Sequence, residues 1–440
     1  MRRLHLPLYL RVVAGVVLGA VVGVIAGKSP MIGDFTTDDL GKLGLLVIRL
    51  LKTLAVPLVV FAVLDAITRT NVSARAGFRL LAICAVNVTV AFCIGLALMN
   101  LLHPGYAWRG HIQEITGLTH EVMAKTPEGT TLSPMAMLSS WIPQSVAQPF
   151  TDNNVISLVL LAILAGASVR QIRKEAATKN DAETTHEVST LVAAIAGGYR
   201  VLMRMLTFVI HIVPFAVFCV VAQVVGKAGL GTFSVLSGFL VVILLGFAIH
   251  ALVYYPLVSW LVGGVHPRDF VKHGANAVVT GLSMNSSLAT MPVTLQSLEN
   301  MGVGPTSARL SACIGTNFNN DGITLYEAMA AIFLAQALGH DLSLGAQLTI
   351  VISALMAGIG VAGIPEAGLI VLPLVLASAG FSDQTVGALL PVVLTVDWIL
   401  ARCRSGVNVM ADMVVAILLD RWAKASGDIT DEIEPDHEAT

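Results

Sequence analysis

The stretch that decides the fold is residues 315–326, GTNFNNDGITLY, which is polar although its surroundings are apolar. ARLSACI precedes it and AMAAIFLAQAL follows it, and each apolar arm is shorter than the roughly 20 residues that a membrane-spanning helix needs. A turn between two surface helices is the ordinary alternative, because Asn-Asp-Gly is common turn chemistry. The short arms favour instead one span whose helix is interrupted at NFNNDG.

The composition of the whole chain indicates a membrane environment. Of the 440 residues, 55% are hydrophobic and 12% are charged, whereas soluble domains carry about 25% charged residues. No segment shows the short alternating pattern of a membrane barrel, and glycine and proline are frequent, as they are in membrane helices. We therefore predict an all-α polytopic membrane protein. The net charge of −2 and the absence of a basic face predict no nucleic acid partner.

Six apolar runs of spanning length occur in the first 262 residues, at 7–26, 43–67, 80–102, 155–169, 195–225 and 233–262. Lys and Arg concentrate at the N-terminus and after the second, fourth and sixth runs, so the positive-inside rule places the N-terminus in the cytoplasm. The basic start followed by a long apolar run predicts a first span and not a cleaved signal peptide.

After residue 262 the apolar segments are interrupted by small and polar clusters. Residues 275–296 and 347–379 each read as a helical hairpin with a break of small residues, and each is followed by a span with polar residues at its centre, 307–338 and 385–422. Irregular backbone at membrane depth is tolerated only where it is buried in protein or lines a cavity, so the breaks should meet at one wet site. This predicts eight transmembrane helices plus two re-entrant helical hairpins, arranged as inverted repeats.

The interrupted span offers oxygen ligands. A helix that unwinds at NFNNDG frees backbone carbonyl groups, and Asn319 and Asp321 add side-chain oxygens beside them. We expect no His or Cys nearby. Oxygen ligands without imidazole or thiolate favour a hard cation over a soft transition metal.

The last span carries a polar stripe. Asp397, Arg404, Asn408 and Asp412 follow one another at spacings of seven, four and four residues, which places them on one helix face. Arg404 has the planar fork that binds a carboxylate, and Asp397 is positioned to hold it when no ligand is present. A paired structural network is the alternative. Arg402 either leans into the same cavity or extends to a polar interface.

The hairpin breaks offer anion-binding groups. Peptide N–H groups around Ser286, Ser287, Gly363 and Ile364 lie at half-helix ends, where partial positive charge attracts anions. Carboxylate-binding donors beside acidic cation sites are what a cation-coupled carboxylate symporter needs. An intramembrane aspartyl protease using Asp321 and Asp412 is less favoured, because Arg404 would suppress the acid form. An anion channel is less favoured because the charges are few and mixed in sign.

Several motifs, in this order, resemble the glutamate transporter family, the dicarboxylate/amino acid:cation symporters. They are LKTLAVPLVVFAVLDA, WIPQSVAQPFTDNNVISLVLLAILAGAS, IVPFAVFCVVAQVV, NSSLATMP, NNDGITLY, AGIPEAGLIVLPLVLAS and DWILARCRSGVNVMAD. The resemblance implies a bacterial-type member in the inner (plasma) membrane, with the fold of the glutamate transporter homologues. It also implies a homotrimer that works by an elevator-like shift, with both termini cytoplasmic.

The resemblance further implies a division of the chain and a set of site residues. Residues 1–77 and 104–231 would form the scaffold, including an extracellular loop; residues 78–103 and 232–424 would form the transport domain; and 425–440 would be a disordered cytoplasmic tail. No cofactor is implied. The implied substrate-binding residues are Ser286, Ser287, Ile364, Pro365, Gly368, Arg402, Arg404 and Asn408. The implied cation-binding residues are Gly315, Asn319, Asp321, Asn408 and Asp412.

Departures from the family pattern bear on the substrate and the coupling ion. The family's NMDGT reads NNDGI here, and Asn87 replaces a hydroxyl residue of many sodium-coupled members, so coupling to Na⁺ or to H⁺ and the number of cations stay open. Relatives that transport amino acids have an aspartate where this chain has Ala401, and an ammonium without that partner loses roughly 2–5 kcal/mol. We therefore predict uptake of C4-dicarboxylates (succinate, malate or fumarate), with glutamate or aspartate as the alternative. Asn285 stands where some members carry an arginine at the first hairpin tip, and Arg402 occupies the compensating eighth-span position seen in other members.

Overall fold

The computed structural model of the protein describes residues 8–69, 74–109, 112, 141–152, 154–359 and 366–426. All regular elements within these ranges are helices. In chain order they are α1 (Leu8–Ala26), α2 (Thr37–Arg69), α3 (Ala74–Leu102), α4 (Gln148–Thr151), α5 (Val155–Lys179), α6 (Ala182–Ile210), α7 (Val213–Ala228), α8 (Gly231–Ala248), α9 (Tyr255–Leu261), α10 (Pro267–Met284), α11 (Ser287–Asn300), α12 (Pro305–Arg309), α13 (Asp321–Ala337), α14 (Leu344–Ile359), α15 (Ala367–Ser378) and α16 (Asp383–Ser426).

Four shorter segments have other helical geometries. Pro104–Trp108 and Gly315–Asn317 are 3₁₀-helical, and Ile249–Tyr254 and Leu310–Ile314 are π-helical. Both π-helical segments precede residues of the candidate site. π-Helical turns are rare within α-helices, and those that occur are frequently at functional sites.

The described helices are those of a polytopic membrane protein. Six segments are long and apolar enough to cross a membrane: α2, α3, α5, α6, the stretch Leu236–Leu261 and α16. Shorter apolar helices accompany them, among them α1, α7, α14 and α15. Large apolar side chains such as Val17, Leu18 and Ile25 are exposed on the outside, where hydrocarbon rather than water would surround them.

The predicted spans at 155–169 and 195–225 differ from the observed helices. The first continues as α5 to Lys179, because its polar continuation RQIRKEAATK consists mostly of helix-forming residues. The second begins earlier, at Ala182, where the Asp181 side chain accepts a hydrogen bond from the Thr184 N–H at 3.1 Å. It is also divided into α6 and α7, because Pro214 has no N–H to continue a helix and occupies the first turn of α7.

Helices α1, α2, α5, α6 and α7 form one set of mutually packed helices, here called the five-helix group. The closest contact is between α1 and α7, where Gly15, Gly19 and Gly23 present a strip without side chains. A Cβ atom added at Gly19 would lie 2.5 Å from the Phe218 carbonyl oxygen. Small residues therefore let the two backbones approach, as is common between membrane helices.

Apart from the short α4, which packs on α5, the remaining helices pack against α13 or α16, and every residue of α13 is buried. This core group comprises α3, residues 103–109 and α8–α16. Residues 103–109 join it through the end of α13, where the Asp341 carboxylate accepts hydrogen bonds from the Tyr106 hydroxyl at 2.8 Å and the Arg109 guanidinium at 2.6 Å. The Tyr106 and Arg109 contacts hold the pKa of Asp341 below its usual value, so its carboxylate is charged at neutral pH.

Two helical hairpins belong to the core group. In the first, α10 and α11 pack together and are joined at Asn285, whose backbone is left-handed with φ 51°. In the second, α14 and α15 pack together, and the connecting residues 360–365 lie outside the described residues. Whether both legs of each hairpin enter from one side of a bilayer stays a prediction.

The predicted interruption of the helix at NFNNDG is confirmed. After α12 the chain passes through the π-helical and 3₁₀ segments, leaves helical geometry at residues 318–320, and restarts as α13 at Asp321. The last helix, α16, has 44 residues. It ends at Ser426, so residues 425 and 426 of the predicted disordered tail are helical, and residues 427–440 lie outside the described residues.

Candidate functional site

The polar face of α16 contains a buried ion pair. The Arg404 guanidinium donates two hydrogen bonds to the Asp397 carboxylate, Nη1 to Oδ1 at 2.7 Å and Nη2 to Oδ2 at 3.1 Å. Both residues are 2% exposed. The guanidinium carbon also lies 4.1 Å from the centre of the Tyr326 ring, a cation–π contact from α13. The predicted pairing of Asp397 with Arg404 is therefore present.

Gly368 in the first turn of α15 lies directly against this guanidinium. A Cβ atom at Gly368 would lie 2.5–2.6 Å from Nη1, Nη2 and the central carbon of the Arg404 guanidinium. Only a residue without a side chain fits that space without moving the arginine. The second hairpin and α16 thus meet at Arg404.

Asn408, one helical turn after Arg404, connects α16 to the start of α13. Its side-chain oxygen accepts a hydrogen bond from the Gly322 N–H at 2.9 Å, and its amide nitrogen donates to the Asn320 side-chain oxygen at 3.4 Å. Asn320 in turn donates to the Gly358 carbonyl oxygen of α14 at 3.3 Å. Through these contacts the last helix, the broken span and the second hairpin share one polar layer.

A small cavity lies between the hairpins and α16. It brings together Ser286, Ser287, Arg404 and Asn408, four of the predicted substrate-binding residues. Gly368 contacts this set through Arg404, whereas Ile364 and Pro365 lie outside the described residues. The residues that line the cavity are Asn285, Ser286, Ser287, Ile323, Ala367, Ala401, Arg404, Ser405 and Asn408.

Arg402 has a different position from the other predicted substrate-binding residues. Its Nη1 donates hydrogen bonds to the carbonyl oxygens of Leu282 and Ser283, at 3.0 and 3.1 Å. These carbonyls are at the C-terminal end of α10, where a cation is favourable. The structure thus uses Arg402 to cap the first leg of the first hairpin.

The predicted cation-binding residues contribute buried oxygen atoms. Asn319 is fully buried, and within the described ranges neither its side-chain oxygen nor its nitrogen has a hydrogen-bond partner. The same holds for Oδ1 of Asp321 and Oδ1 of Asp412. Asn319 and Thr316 lie beside the Asp412 carboxylate, which also interacts electrostatically with Asp321. Buried oxygens of this kind suit a hard cation such as Na⁺.

The fifth predicted cation-binding group, the carbonyl of Gly315, has a structural contact of its own. It accepts hydrogen bonds from the N–H groups of Phe318 and Asn319, at 2.7 and 2.8 Å. These bonds close the tight turn that precedes α13. A carbonyl oxygen has two lone pairs, so a cation contact requires that one of these bonds be shared or lost.

The expectation that no histidine or cysteine lies near the cation-binding residues is wrong, since Cys84 interacts electrostatically with Asp321 and a histidine contacts it. His250, in the π-helical turn after α8, is fully buried with Nε2 3.2 Å from Oδ2 of Asp321, and Tyr255 donates its hydroxyl to the same oxygen at 2.8 Å. The neighbouring Tyr254 donates to the side-chain oxygen of Asn87 at 2.8 Å. The contact joins segments that are 71 residues apart in the sequence, so local spacing could not reveal it.

Two further buried acids were absent from the predicted site. Glu327, on the fully buried α13, has no hydrogen-bond partner for either carboxylate oxygen among the described residues. Glu366, just before α15, is 6% exposed and contacts the first hairpin. The signal for both acids, and for His250, is a titratable residue in an apolar or hairpin segment, which is rare in membrane proteins and commonly functional.

Comparison with known protein families gives a match over nearly the whole chain. The profile of the Sodium:dicarboxylate symporter family matches residues 8–422. The chain belongs to this family. The match to the sodium:dicarboxylate symporter family includes every site residue named above, and it confirms the resemblance drawn from the motifs.

Individual relatives of the sodium:dicarboxylate symporter family carry transporter names. An excitatory amino acid transporter of Caenorhabditis elegans is 32% identical over 283 residues, 64% of this chain and 53% of the relative. Excitatory amino acid transporter 3 of Mus musculus is 26% identical over 422 residues, 87% of this chain and 79% of the relative. A putative sodium-dependent excitatory amino acid transporter of C. elegans is 26% identical over 425 residues, 86% of this chain and 82% of the relative. The chain thus spans about half the length of the first of these and about four fifths of the other two.

Proposed function

We propose that the protein is a secondary active symporter that carries an acidic amino acid, aspartate or glutamate, together with Na⁺. The observation that carries the proposal is the buried Arg404 guanidinium beside the cavity between the two hairpins. A planar, buried cation at that place suits a carboxylate on a small organic anion. The names of the relatives favour an amino acid over the C4-dicarboxylate that Ala401 alone predicted.

The substrate would be held at both of its ends. The distal carboxylate would bind Arg404 in exchange for, or beside, Asp397. The other carboxylate would bind at Ser286 and Ser287 and the Asn408 amide, with the Ile364–Pro365 region completing the second hairpin. Because each carboxylate takes donors in directions fixed by rigid helices, the substrate length would be selected as well as its charge.

The coupled cations would be held by the oxygens of Asn319, Asp321, Asn408 and Asp412, with the Gly315 carbonyl. Asp412 lies one turn after Asn408 on α16, and Asn408 bonds to Gly322 beside Asp321, so cation and anion would each lower the cost of burying the other. Each net positive charge moved inward gains about 2.3 kcal/mol per 100 mV of membrane potential. An acidic amino acid carries a net charge of −1, so more than one Na⁺ must accompany it for the potential to help.

For the protein as a whole we propose the architecture that the family resemblance implies. The core group would be the moving transport domain of an elevator, and the five-helix group would be the scaffold and the contact surface of a homotrimer. The protein would reside in the bacterial inner membrane with both termini in the cytoplasm.

A C4-dicarboxylate is the second candidate substrate. Two observations favour it: Ala401 lines the cavity where amino-acid-transporting relatives have an aspartate, and the family description itself names dicarboxylates. Proton coupling stays a weaker alternative to Na⁺, since the family description names sodium.

Uptake by the purified protein in proteoliposomes tests the proposal. Labelled aspartate, glutamate and succinate would be supplied outside, with an inward Na⁺ gradient, an inward proton gradient, or neither. We expect aspartate or glutamate to accumulate above its outside concentration only when Na⁺ is supplied. Accumulation of succinate without either amino acid would reject the amino-acid substrate, and equilibration without accumulation would reject symport.

A further inference from the structure

The tips of the two hairpins are joined by a buried carboxylate. Oε1 of Glu366 accepts a hydrogen bond from the side-chain amide of Asn285 at 3.0 Å. The two residues are 6% and 7% exposed, and both have left-handed backbone conformations, with φ 59° and 51°. Such conformations are uncommon for residues with side chains, and they direct both side chains toward the neighbouring hairpin.

Glu366 lies next to residues that line the cavity between the hairpins and α16. Asn285, its partner, and Ala367, its chain neighbour, both line the cavity, and Gly368 two residues on contacts the Arg404 guanidinium. Ala401, the position that lacks the aspartate of amino-acid-transporting relatives, lines the same cavity. The second hairpin therefore carries a carboxylate close to the cavity where α16 lacks one.

The surroundings of Glu366 favour a cationic ligand. Its hydrogen-bond partner among the described residues is a neutral amide. Arg404 and Arg402 attract its charge and Asp397 repels it, but the Arg404 guanidinium makes its two short bonds to Asp397. A buried carboxylate that is hydrogen-bonded only to a neutral group is costly, and a cationic donor at hydrogen-bond distance relieves that cost. A second carboxylate placed there would instead meet like charge.

We propose that Glu366 binds the α-ammonium group of the substrate, with Asn285 orienting its carboxylate, and so supplies the anionic group that Ala401 cannot. This inference rests on the proposed transport of an acidic amino acid and names the residue that selects it over a dicarboxylate. Such a substrate has two carboxylates and one ammonium, so Arg404 and Glu366 together are complementary to its charges. Succinate, which lacks the ammonium, leaves Glu366 without that partner.

The substitution Glu366→Gln separates this role from a purely structural one. Glutamine retains the oxygen that accepts from Asn285 and loses only the charge. The full-length protein, purified in Na⁺, would be titrated calorimetrically with L-aspartate and with succinate. We expect Glu366→Gln to weaken aspartate binding by about 30-fold or more, as for removal of one member of a buried charge pair, and to leave succinate binding unchanged or tighter.

Two further variants complete the test. Asn285→Ala keeps the charge of Glu366 but removes the bond that orients it, so it should weaken aspartate binding by less than Glu366→Gln does and change succinate binding little. Adding Ala401→Asp to Glu366→Gln returns a carboxylate to the cavity and should restore the preference for aspartate. Equal weakening of aspartate and succinate by Glu366→Gln would overturn the inference and leave the proposed function intact. A wild-type protein that binds succinate but not aspartate would reject the proposed substrate itself.

Discussion

At the residue scale, the central feature is that Arg404 already has an anionic partner. Asp397 occupies both arms of its fork, and each residue is 2% exposed, so the pair is neutral and buried before any substrate arrives. This arrangement keeps a guanidinium inside the protein without an isolated charge. A substrate carboxylate that takes the place of Asp397 must compete with it. The measured substrate affinity then reflects the difference in free energy between two ion pairs and not the strength of one.

Because Arg404 is paired with Asp397, removing the arginine alone would affect both stability and substrate binding. Arg404→Ala leaves Asp397 buried without its partner, which typically destabilises a protein by about 3–5 kcal/mol. The double variant Arg404→Ala/Asp397→Asn removes both charges, so it should be more stable than Arg404→Ala and still fail to bind acidic substrates. Thermal unfolding in detergent and calorimetric titration with aspartate measure the two effects. Aspartate binding by the double variant at wild-type affinity would exclude Arg404 as the carboxylate-binding residue.

At the scale of the helices, the contact between α1 and α7 depends on glycine. Cβ atoms at Gly15, Gly19 and Gly23 would lie 2.5–2.8 Å from backbone carbonyl oxygens of α7. Backbone atoms of a packed helix cannot rotate away as a side chain does. The separation of the two helices is therefore set by the absence of side chains along one strip of α1.

Gly19→Ala should separate α1 from α7. The added methyl would lie 2.5 Å from the Phe218 carbonyl oxygen and 3.0 Å from Cβ of Val221. Overpacking of this kind costs about 1–3 kcal/mol, to be read as a lower midpoint of thermal unfolding in detergent. Gly238→Ala on α8 is the matched control, because no atom lies within 4 Å of its added Cβ. If both variants unfold at the wild-type temperature, the strip does not set the helix separation.

Some contacts within and between the helices could be predicted from the sequence, and others could not. The polar stripe of α16 has spacings of seven and four, so helical periodicity alone placed Arg404 beside Asp397. The interruption at NFNNDG followed from apolar arms too short to span. In contrast, His250 and Tyr255 reach Asp321 through the packing of α8 and α9 against α13, and no local pattern encodes a contact between separate helices. The division of α6 from α7 could have been predicted from Pro214, but the continuous apolar run around it indicated a single span.

At the scale of the whole molecule, the groups that would hold substrate and cations all belong to the core group. They lie on the two hairpins, the broken span and α16, whereas α1, α2, α5, α6 and α7 contribute none of them. The five-helix group contacts the core group through pairs such as α7 with α16 and α5 with α14. Binding energy would thus be released inside one group and would act on the other only through their shared surface.

Hydrogen exchange can test this separation. A ligand present at 100 times its dissociation constant stabilises the state that it binds by about 2.7 kcal/mol. We expect Na⁺ with aspartate to slow amide exchange at residues 285–290, 315–322 and 366–370, and to leave α1, α2 and α7 unchanged. Exchange would be followed by mass spectrometry of the detergent-solubilised protein, with Na⁺ alone as the reference. Equal protection of α1 and α2 would show that the two groups respond as one body.

The π-helical turn at Ile249–Tyr254 has a consequence for sequence change at this position. A turn of this kind accommodates one additional residue within a continuous helix, and each residue of an α-helix accounts for about 100° of rotation. Inserting one further amino acid between His250 and Tyr255 would rotate one of them relative to the other by about 100°, so that they could no longer meet on one oxygen of Asp321. A one-residue insertion, rather than a substitution, would then be the mutation that most disturbs the contact of His250 and Tyr255 with Asp321.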